Sequence, residues 1–437
     1  MKELFADHIT SLLKRYEQAL ARLADADGVL IHSGREESYY ADDQAPPFRA
    51  FGHFCQWLPV DRPQQAVLIR PGRRPVYLQV VAADFWYDQE IAIADWWAGA
   101  FDIVTLRSSA EFAAHLPAPE RLAFLGEQRS LAAGLGIPER LVNPPALLHY
   151  LDYWRASKTA YEIAQIGNAN RLALKGHAAA RSCFLEGGSE YDIHMAYLGG
   201  CEITEPQCPY TSIVAIDAKA AILHYQHKRH QRYPDKKSQV LLIDAGTRIN
   251  NYCSDITRTT ARPGIDICFE SLLRGMEAIQ QRLVAQVRPG ISYLDIHHSA
   301  LQQITELAIT LELITCQVDT AMALKLAGLF MPHGVGHLLG LQVHDVGGHL
   351  AAADGSLRPA PEDSPFLRNT RTLTEDMVFT IEPGFYFIPM LLEPARNTMQ
   401  GQHLNWPLID ALSSLGGIRI EDNVRVTADG VENLSRQ

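Results

Sequence analysis

Cysteine is sparse in this sequence, and its spacing excludes the common cysteine-based sites. Seven cysteines are scattered over 437 residues, and none of them forms a Cys-x-x-Cys pair. Cys201 and Cys208 are too far apart in the sequence to form half of a zinc knuckle. An odd, scattered set of thiols is typical of a reducing compartment rather than of a disulfide-stapled secreted protein. We therefore expect a cytoplasmic protein.

Long hydrophobic runs are also missing. No uncharged apolar stretch approaches the roughly 20 residues that a membrane-spanning helix needs, and the first residues lack the apolar core of a signal peptide. Positive charge is in short supply, since 39 Lys and Arg stand against 50 Asp and Glu and leave a net charge of −11. That balance would repel a phosphate backbone. We expect neither a membrane nor a nucleic acid as a partner.

The rest of the composition is that of a folded protein with more than one domain. Hydrophobic residues make up 47% of the chain and charged residues 20%, which excludes a disordered or fibrous chain. Domains usually contain about 100–200 residues, so the length predicts two or three of them.

The sequence pattern changes near residue 155. Apolar strand candidates at 29–31, 66–69 and 76–78 give the first part α/β character. We predict an α/β (α+β) protein with a smaller N-terminal α/β domain over 1–155 and a larger second domain over 156–437. In the second domain we expect helices at about 156–186, 265–286 and 292–312, strands at 212–216, 221–224, 240–246, 377–382 and 417–426, and long loops at 350–372 and 385–412.

Two aspartates in the stretch 240–259 predict a shared site. Asp244 ends an apolar run, as expected for a buried strand that carries a carboxylate at its tip. If this stretch is a simple hairpin with its turn centred between Ile249 and Asn250, Asp244 and Asp255 face each other with Cβ atoms ~5 Å apart. Two carboxylates that close need a cation or a shared proton. Either aspartate alone is more typical of a solvated turn, but their symmetry favours a site.

Histidines cluster farther along the chain. His333, His337 and His344 lie within twelve positions and are interleaved with glycines. Two histidines four residues apart are typical of a helical metal pair, but the glycines between them disfavour a helix. We expect a loop leading into a helix, with one histidine on a metal and the others facing a substrate. A lone histidine is more often structural, whereas three together favour a site.

Two glutamates are predicted at strand ends. Pro383 forces Glu382 into an extended conformation and ends the strand before it. In the strand around 417–426, alternation places Arg419 and Glu421 on one face. Each glutamate alone is typical of an exposed strand end. Four carboxylates together with an imidazole, however, form a hard ligand set suited to two Mn²⁺ ions, with Co²⁺ or Zn²⁺ as alternatives.

These segments resemble those of the pita-bread metallopeptidases, the family of methionine aminopeptidases, aminopeptidases P and prolidases. The details are most similar to bacterial prolidases (Xaa-Pro dipeptidases) and the related organophosphorus acid anhydrolases, and the resemblance covers essentially the whole chain. The segments that carry it are 31–34, 41–43 with 47–48, 223–225, 242–246, 331–337 and 416–423.

The resemblance implies a fold and a set of roles. The fold is a C-terminal pita-bread domain, with a curved, mostly antiparallel sheet and covering helices. Hydrolysis of Xaa-Pro dipeptides would proceed by attack of a metal-bridging hydroxide on the scissile carbonyl. The active form would be a homodimer. The implied metal ligands are Asp244, Asp255, His337, Glu382 and Glu421; the catalytic groups are Glu382 as proton shuttle with His333 and His344; the substrate-binding groups are His224, Arg368, Arg419 and, from the partner, Asp43.

An independent argument supports an arginine clamp. A dipeptide presents a C-terminal carboxylate, which a guanidinium can bind through two hydrogen bonds. Arg368 lies in the long loop before the Glu382 strand, although a solvated loop arginine is about as common.

Other functions remain open on the sequence alone. An aminopeptidase P would act on longer Xaa-Pro peptides, and hydrolysis of organophosphate triesters is a plausible side activity of the same metal pair. A non-catalytic pita-bread module used for protein binding is disfavoured because all five implied ligands are present.

Overall fold

The structure, a computed structural model, describes residues 1–232 and 238–436. The chain separates into two compact units, Met1–Gln165 with Ala352–Leu357 and Ile166–Ala351 with Arg358–Gln437. The domain boundary predicted at 155/156 stays a prediction. No helix in the described ranges is long and apolar enough to cross a membrane.

The first unit is built on a five-stranded mixed sheet in the order β4-β3-β2-β1-β5. β1 pairs antiparallel with β2 and parallel with β5, and all five residues of β1 are buried. Its elements are α1 (Lys2–Leu20), β1 (Gly28–His32), α2 (Gly52–Trp57), β2 (Ala66–Ile69), β3 (Val76–Val80), α3 (Asp95–Ala98), β4 (Asp102–Leu106), β5 (Leu122–Leu125), α4 (Arg129–Gly134) and α5 (Pro145–Arg155).

The second unit combines short antiparallel sheets with long helices. The strand orders are β10-β7-β6, β11-β14-β15, β12-β13 and β8-β9, and every pairing between these strands is antiparallel. Its elements are α6 (Ala160–Glu186, which begins in the first unit), α7 (Glu190–Cys201), β6 (Ile213–Ile216), β7 (Val240–Ala245), β8 (Arg248–Ile249), β9 (Tyr252–Cys253), β10 (Ile256–Ala261), α8 (Ile267–Gln286), α9 (Tyr293–Thr310), α10 (Val318–Ala323), β11 (Val378–Ile381), β12 (Gly384–Tyr386), α11 (Pro389–Ala395), α12 (Trp406–Leu412), β13 (Gly417–Arg419), β14 (Asp422–Val426) and β15 (Val431–Asn433).

Local sequence signals explain where the helices of the second unit begin. The side chain of Ser189 accepts the backbone N–H of Asp192, whose carboxylate accepts the N–H of Ser189, so that a capping box starts α7. Asp266 is a simple N-cap of α8, with its carboxylate accepting the N–H groups of Cys268 and Phe269. Both helices therefore begin where a short polar side chain satisfies the first free donors.

The β7–β10 pair has a different register from the predicted hairpin. Asp244 lies opposite Thr257, and Ala245 lies opposite Ile256. The turn is centred one residue later, between Asn250 and Asn251, both of which have positive φ, 47° and 75°. Two successive left-handed asparagines are typical of a type I′ hairpin turn, which sets the register of the strands. The predicted face-to-face pairing of the two aspartates is therefore wrong.

Four other predictions of secondary structure are also wrong. The strand predicted at 417–426 is two strands, β13 and β14, which belong to different sheets. Residues 221–224 form no strand, because Ile222 N–H and Tyr225 N–H close local turns onto Lys219 and Ile222. The predicted loop 385–412 contains α11 and α12. No helix follows His337, because its backbone pairs with Thr380: Thr380 N–H donates to the His337 carbonyl at 2.9 Å.

Candidate functional site

A cavity of about 290 Å³ lies in the second unit and collects most of the predicted site residues. Four carboxylates, several imidazoles and two guanidinium groups line it. Its polar lining side chains are His224, Asp244, Asp255, His333, His337, His344, Arg368, Glu382, Arg419 and Glu421. Of the predicted residues, only Asp43 is not among the described residues that line the cavity. Asp43 is exposed in the first unit, where its carboxylate accepts a hydrogen bond from Gln44 at 2.9 Å.

The acids reach the cavity from the ends of strands. Asp244 lies on β7, Asp255 directly precedes β10, and Glu382 lies between β11 and β12. Glu421 directly precedes β14 and bridges to Thr257 of β10, which brings two of the sheets together. Strand ends place side chains close together because neighbouring strands lie about 5 Å apart.

Three of these side chains form a compact cluster, to which we refer as the ligand triad: Asp255, His337 and Glu421. Each offers one ligand atom, and these atoms lie within 4.8 Å of one another. The Nε2 atom of His337 lies 3.3 Å from Asp255 Oδ2 and 3.6 Å from Glu382 Oε1. All members of the triad are buried, so solvent does not screen their charges.

Burial makes the ionised carboxylates unfavourable. It raises the pKa of Asp244 to about 6 and that of Glu382 to about 7, and it raises the pKa of Glu421 well above its usual range. Burial opposes ionisation of Asp255 as well, but the hydrogen bond to His337 lowers the pKa of Asp255 below its ordinary value. The same bond, with the charge of Glu382, outweighs burial and raises the pKa of His337.

The residues present fit a divalent metal. Four carboxylates line the cavity, and burial opposes the ionisation of Asp244, Glu382 and Glu421, so that their charged forms need a nearby cation. The Oε1 atom of Glu421 has no hydrogen-bond partner within 1–232 and 238–436, although it is fully buried. Carboxylates with one imidazole are the donor set of a hard or borderline cation such as Mn²⁺. A cation would therefore satisfy both the charge and the orphaned oxygen.

Arg419 is held by protein groups. Its Nη2 donates to Asp244 Oδ2 at 2.6 Å, its Nη1 to the Tyr386 hydroxyl at 3.0 Å, and its Nε to Thr257 Oγ1 at 3.1 Å. Every nitrogen of this guanidinium thus has a protein partner, and only 5% of the residue is exposed. Arg368, in contrast, is exposed on the lining of the cavity.

The histidines differ in what they can offer a ligand. His333 Nδ1 lies 2.8 Å from the Gly334 carbonyl, which only accepts, so Nδ1 carries the proton. Its Nε2 then accepts from the Tyr386 hydroxyl at 2.9 Å. Burial lowers the pKa of His333, and that of His344, to about 3, so both rings are neutral. The ring of His344 packs edge-on against His337, 4.3 Å between centroids.

Two residues of the site were missed by the sequence analysis. The hydroxyl of Tyr210 donates a hydrogen bond at 2.6 Å to Asp244 Oδ1 and also contacts Asp255 Oδ1. No pattern around Tyr210 indicates this. Tyr386 was also missed: it lies at the end of β12, and nothing in the sequence around it indicates its hydrogen bonds to His333 and Arg419.

Comparison with known proteins gives a consistent result. The profile described as "Metallopeptidase family M24" matches residues 164–428, and the one described as "Xaa-Pro dipeptidase, N-terminal domain" matches residues 3–153. The chain is 42% identical to a protein named Xaa-Pro dipeptidase from Aeromonas hydrophila, over all of this chain and 98% of the relative. It is 44% identical to a protein of the same name from Marinobacter nauticus, over 98% of this chain and 97% of the relative.

Solved structures resemble the fold. The low-pH form of aminopeptidase P from E. coli superposes on this chain with a TM-score of 0.75 at 21% sequence identity. The alignment covers 99% of this chain and 95% of the aminopeptidase chain. Proline aminopeptidase P II from Yersinia pestis has a TM-score of 0.73 at 21% identity, over 99% of this chain and 96% of its own. The predicted mixed α/β fold with an N-terminal domain and a C-terminal metallopeptidase domain is confirmed.

Proposed function

The chain belongs to metallopeptidase family M24, and from this membership we propose that it is a prolidase, which hydrolyses dipeptides whose second residue is proline. The observation that carries the proposal is the ligand triad, buried in a cavity with two further carboxylates and an exposed arginine. The names of the relatives support the Xaa-Pro preference.

Five side chains would hold two divalent ions per subunit: Asp244, Asp255, His337, Glu382 and Glu421. Mn²⁺ suits this donor set best, with Co²⁺ or Zn²⁺ as alternatives. When bound, such a pair supplies Lewis acidity toward the scissile carbonyl and lowers the pKa of water.

Glu382 would move the proton. Its carboxyl lines the cavity beside the ligand triad, with Oε1 3.6 Å from His337 Nε2, where it can reach a proton of the attacking water. It would take a proton from the attacking water and pass it to the imide nitrogen of the leaving proline.

His344 is the better of the two histidines for stabilising the oxyanion. Both nitrogens of His333 are engaged, by Gly334 and Tyr386, so a neutral His333 has no N–H to donate. His344 carries one N–H and lines the same cavity. We therefore propose His344 for this role and a packing role for His333 beside the substrate.

Arg368 would bind the C-terminal carboxylate of the dipeptide. It is the exposed guanidinium of the cavity, whereas the nitrogens of Arg419 are bound to protein groups. His224 lines the same cavity and would also contact the substrate. Arg419 would act mainly by holding Asp244.

We also propose a cytoplasmic homodimer in which Asp43 of the partner approaches the site. The reduced cysteine thiols are consistent with the compartment. Static light scattering would give the mass in solution, and a monomer with full activity would contradict the dimer and the role of Asp43.

The experiment that tests the function is a substrate panel after metal exchange. The purified protein is stripped with a chelator, reloaded with Mn²⁺ and assayed on Gly-Pro, Ala-Pro and Ala-Pro-Ala. We expect hydrolysis of the dipeptides only with metal, and a rate on the tripeptide at least ~100-fold lower, since about 2.7 kcal/mol would be lost without the carboxylate contact. Faster cleavage of Ala-Pro-Ala would make the protein an aminopeptidase P.

The same cavity would accept a phosphotriester, because a P=O group can be polarised as a carbonyl is. Release of nitrophenol from a nitrophenyl triester, lost on chelation, would establish this side activity.

A further inference from the structure

The side chain of Asn423 is buried beside the ligand triad and belongs to none of the roles assigned above. We propose that Asn423 is the positioning residue that assembles the triad for metal binding. This inference rests on the proposed metal site and concerns one of its supports.

Asn423 binds the backbone of Asp255 through both ends of its carboxamide. Its Oδ1 accepts the N–H of Asp255 at 2.9 Å, and its Nδ2 donates to the Asp255 carbonyl. The β7–β10 ladder begins only at Ile256, so this side chain takes the place of a backbone partner at Asp255. The backbone that carries the Asp255 side chain is thereby held at the point where the regular pairing stops.

The same residue is linked to the other two members of the triad. Glu421 lies two residues earlier in the chain, at the entrance to β14. Asn423 lies opposite Thr380 in the β11–β14 pair. Thr380 in turn accepts the N–H of His337 through Oγ1 at 3.1 Å and donates its own N–H to the His337 carbonyl at 2.9 Å. Asn423 therefore lies where the three segments carrying the triad meet.

Asn423 is itself held rigidly. Its N–H donates to Ser435 Oγ at 2.8 Å, and that hydroxyl donates to Asn170 Oδ1 at 2.7 Å. Its carbonyl accepts the N–H of Leu434 at 2.8 Å. None of the residue is exposed. A fully bonded polar group in a low-dielectric place has one well-defined orientation, which it transmits to its partners.

Only a carboxamide can serve in this position. It offers one donor and one acceptor side by side, which matches the N–H and C=O of one residue. A threonine offers a single hydroxyl and an alanine offers nothing, so either would leave a buried backbone group of Asp255 without its partner. The expected consequence is a less well ordered triad. Substitution of a residue that holds a metal ligand typically lowers the metal affinity by 10–100-fold.

The test measures metal binding directly. Mn²⁺ and Co²⁺ are titrated into the chelator-treated full-length protein by calorimetry, and the visible absorption of bound Co²⁺ reports the ligand geometry. Asn423→Ala should raise the Kd at least tenfold and alter the Co²⁺ spectrum, while hydrolysis of Gly-Pro recovers toward the wild-type rate at saturating Mn²⁺. Asn143→Ala is the matched control, because the Asn143 carboxamide binds the backbone N–H and carbonyl of Gly126 in the same two-ended way, at 3.0 and 2.8 Å, in the unit that holds none of the proposed ligands; its Kd should change less than threefold.

Equal affinity and identical spectra in wild type and Asn423→Ala would overturn the inference while leaving the metal site intact. A wild-type protein that binds no ion would overturn the metal site and the inference together. If Asn423→Ala fails to fold, the same measurements are made on Asn423→Thr, because the branched side chain of threonine is well tolerated in a strand.

Discussion

At the scale of single residues, Glu382 provides the most direct test of the chemistry. Glu382→Gln keeps the shape of the side chain and removes the group that accepts a proton. We expect kcat on Gly-Pro to fall by about 10²–10⁴-fold with the metals retained, since this is the usual contribution of a positioned base. Mass spectrometry measures the metal content of the variant, and steady-state kinetics measure its kcat.

The control is Glu375→Gln, a glutamine for an exposed glutamate seven residues earlier, which should leave kcat unchanged. A Glu382→Gln enzyme with full metal and more than a small residual activity would remove Glu382 from the proton transfer.

A second residue, His32, gives the first unit a pH-dependent stability. His32 is fully buried on β1, and burial lowers its pKa to about 4. Between pH 6.5 and 4 the unfolded chain binds a proton that the folded unit does not, so the free energy of unfolding falls as the pH falls through this window. The loss at pH 4.5 should reach roughly 2–3 kcal/mol relative to pH 7.

His32→Phe should remove that part of the pH dependence, because its neighbours Phe112 and Phe124 already form an aromatic environment. Denaturant unfolding at pH 7 and at pH 4.5, monitored by tryptophan fluorescence, tests this prediction. An equally steep loss in the variant would show that His32 is not the titrating group.

At the scale of secondary-structure elements, the asparagine turn between β8 and β9 determines the β7–β10 register. Asn250 has φ of 47°, a conformation that costs most L-residues about 1–2 kcal/mol. Asn250→Val should lower the free energy of unfolding by that amount or more, whereas Asn250→Gly should be close to neutral because glycine adopts this conformation freely. Thermal unfolding of both variants tests the turn, and equal stability of the two would contradict it.

The loop that carries His337 depends on close approach of its backbone to β11. Gly336 has φ of 149°, and an added Cβ would meet the Thr380 carbonyl and the Tyr293 hydroxyl. Gly336→Ala should therefore destabilise the protein by about 1–3 kcal/mol and displace His337 from the triad, with a loss of metal. Gly328→Ala is the control, since an added Cβ there meets nothing within 4 Å.

Melting temperature and metal content are measured for both glycine variants. Retention of metal and stability in Gly336→Ala would show that the loop adapts and that the close approach is not required.

At the scale of the whole molecule, the proposed metals stabilise one unit selectively. All the proposed ligands lie in the second unit, on or beside β7, β10, β11 and β14. Mn²⁺ at a hundred times its Kd should add about 2.7 kcal/mol of stability. Hydrogen exchange should slow in these strands when Mn²⁺ is added to the chelator-treated protein, and it should not change in the sheet β1–β5. Uniform slowing in both units would contradict a site confined to the second.

Much of the fold was accessible from local sequence signals. The strand 66–69 matches β2, and the helix predicted to end before Gly187 and Gly188 matches the end of α6. Both elements were predictable from local sequence, because the glycine or proline residues next to an apolar run indicate where the element ends. Residues 221–224 were wrongly predicted as a strand because their apolar run is short. Their backbone N–H groups donate to carbonyls of local turns instead of to a neighbouring strand.

The sequence by itself determined which donors the site contains and that they lie at strand ends: Asp244 ends an apolar run, and Glu382 precedes a proline. The tertiary structure alone decided how they meet. A turn of two left-handed asparagines, centred one residue later than in the symmetric hairpin, set the register, and Asn423 contacts Asp255 from 168 positions away. The physical reason is that strand ends are encoded by adjacent residues, whereas contacts between distant segments depend on how whole sheets pack.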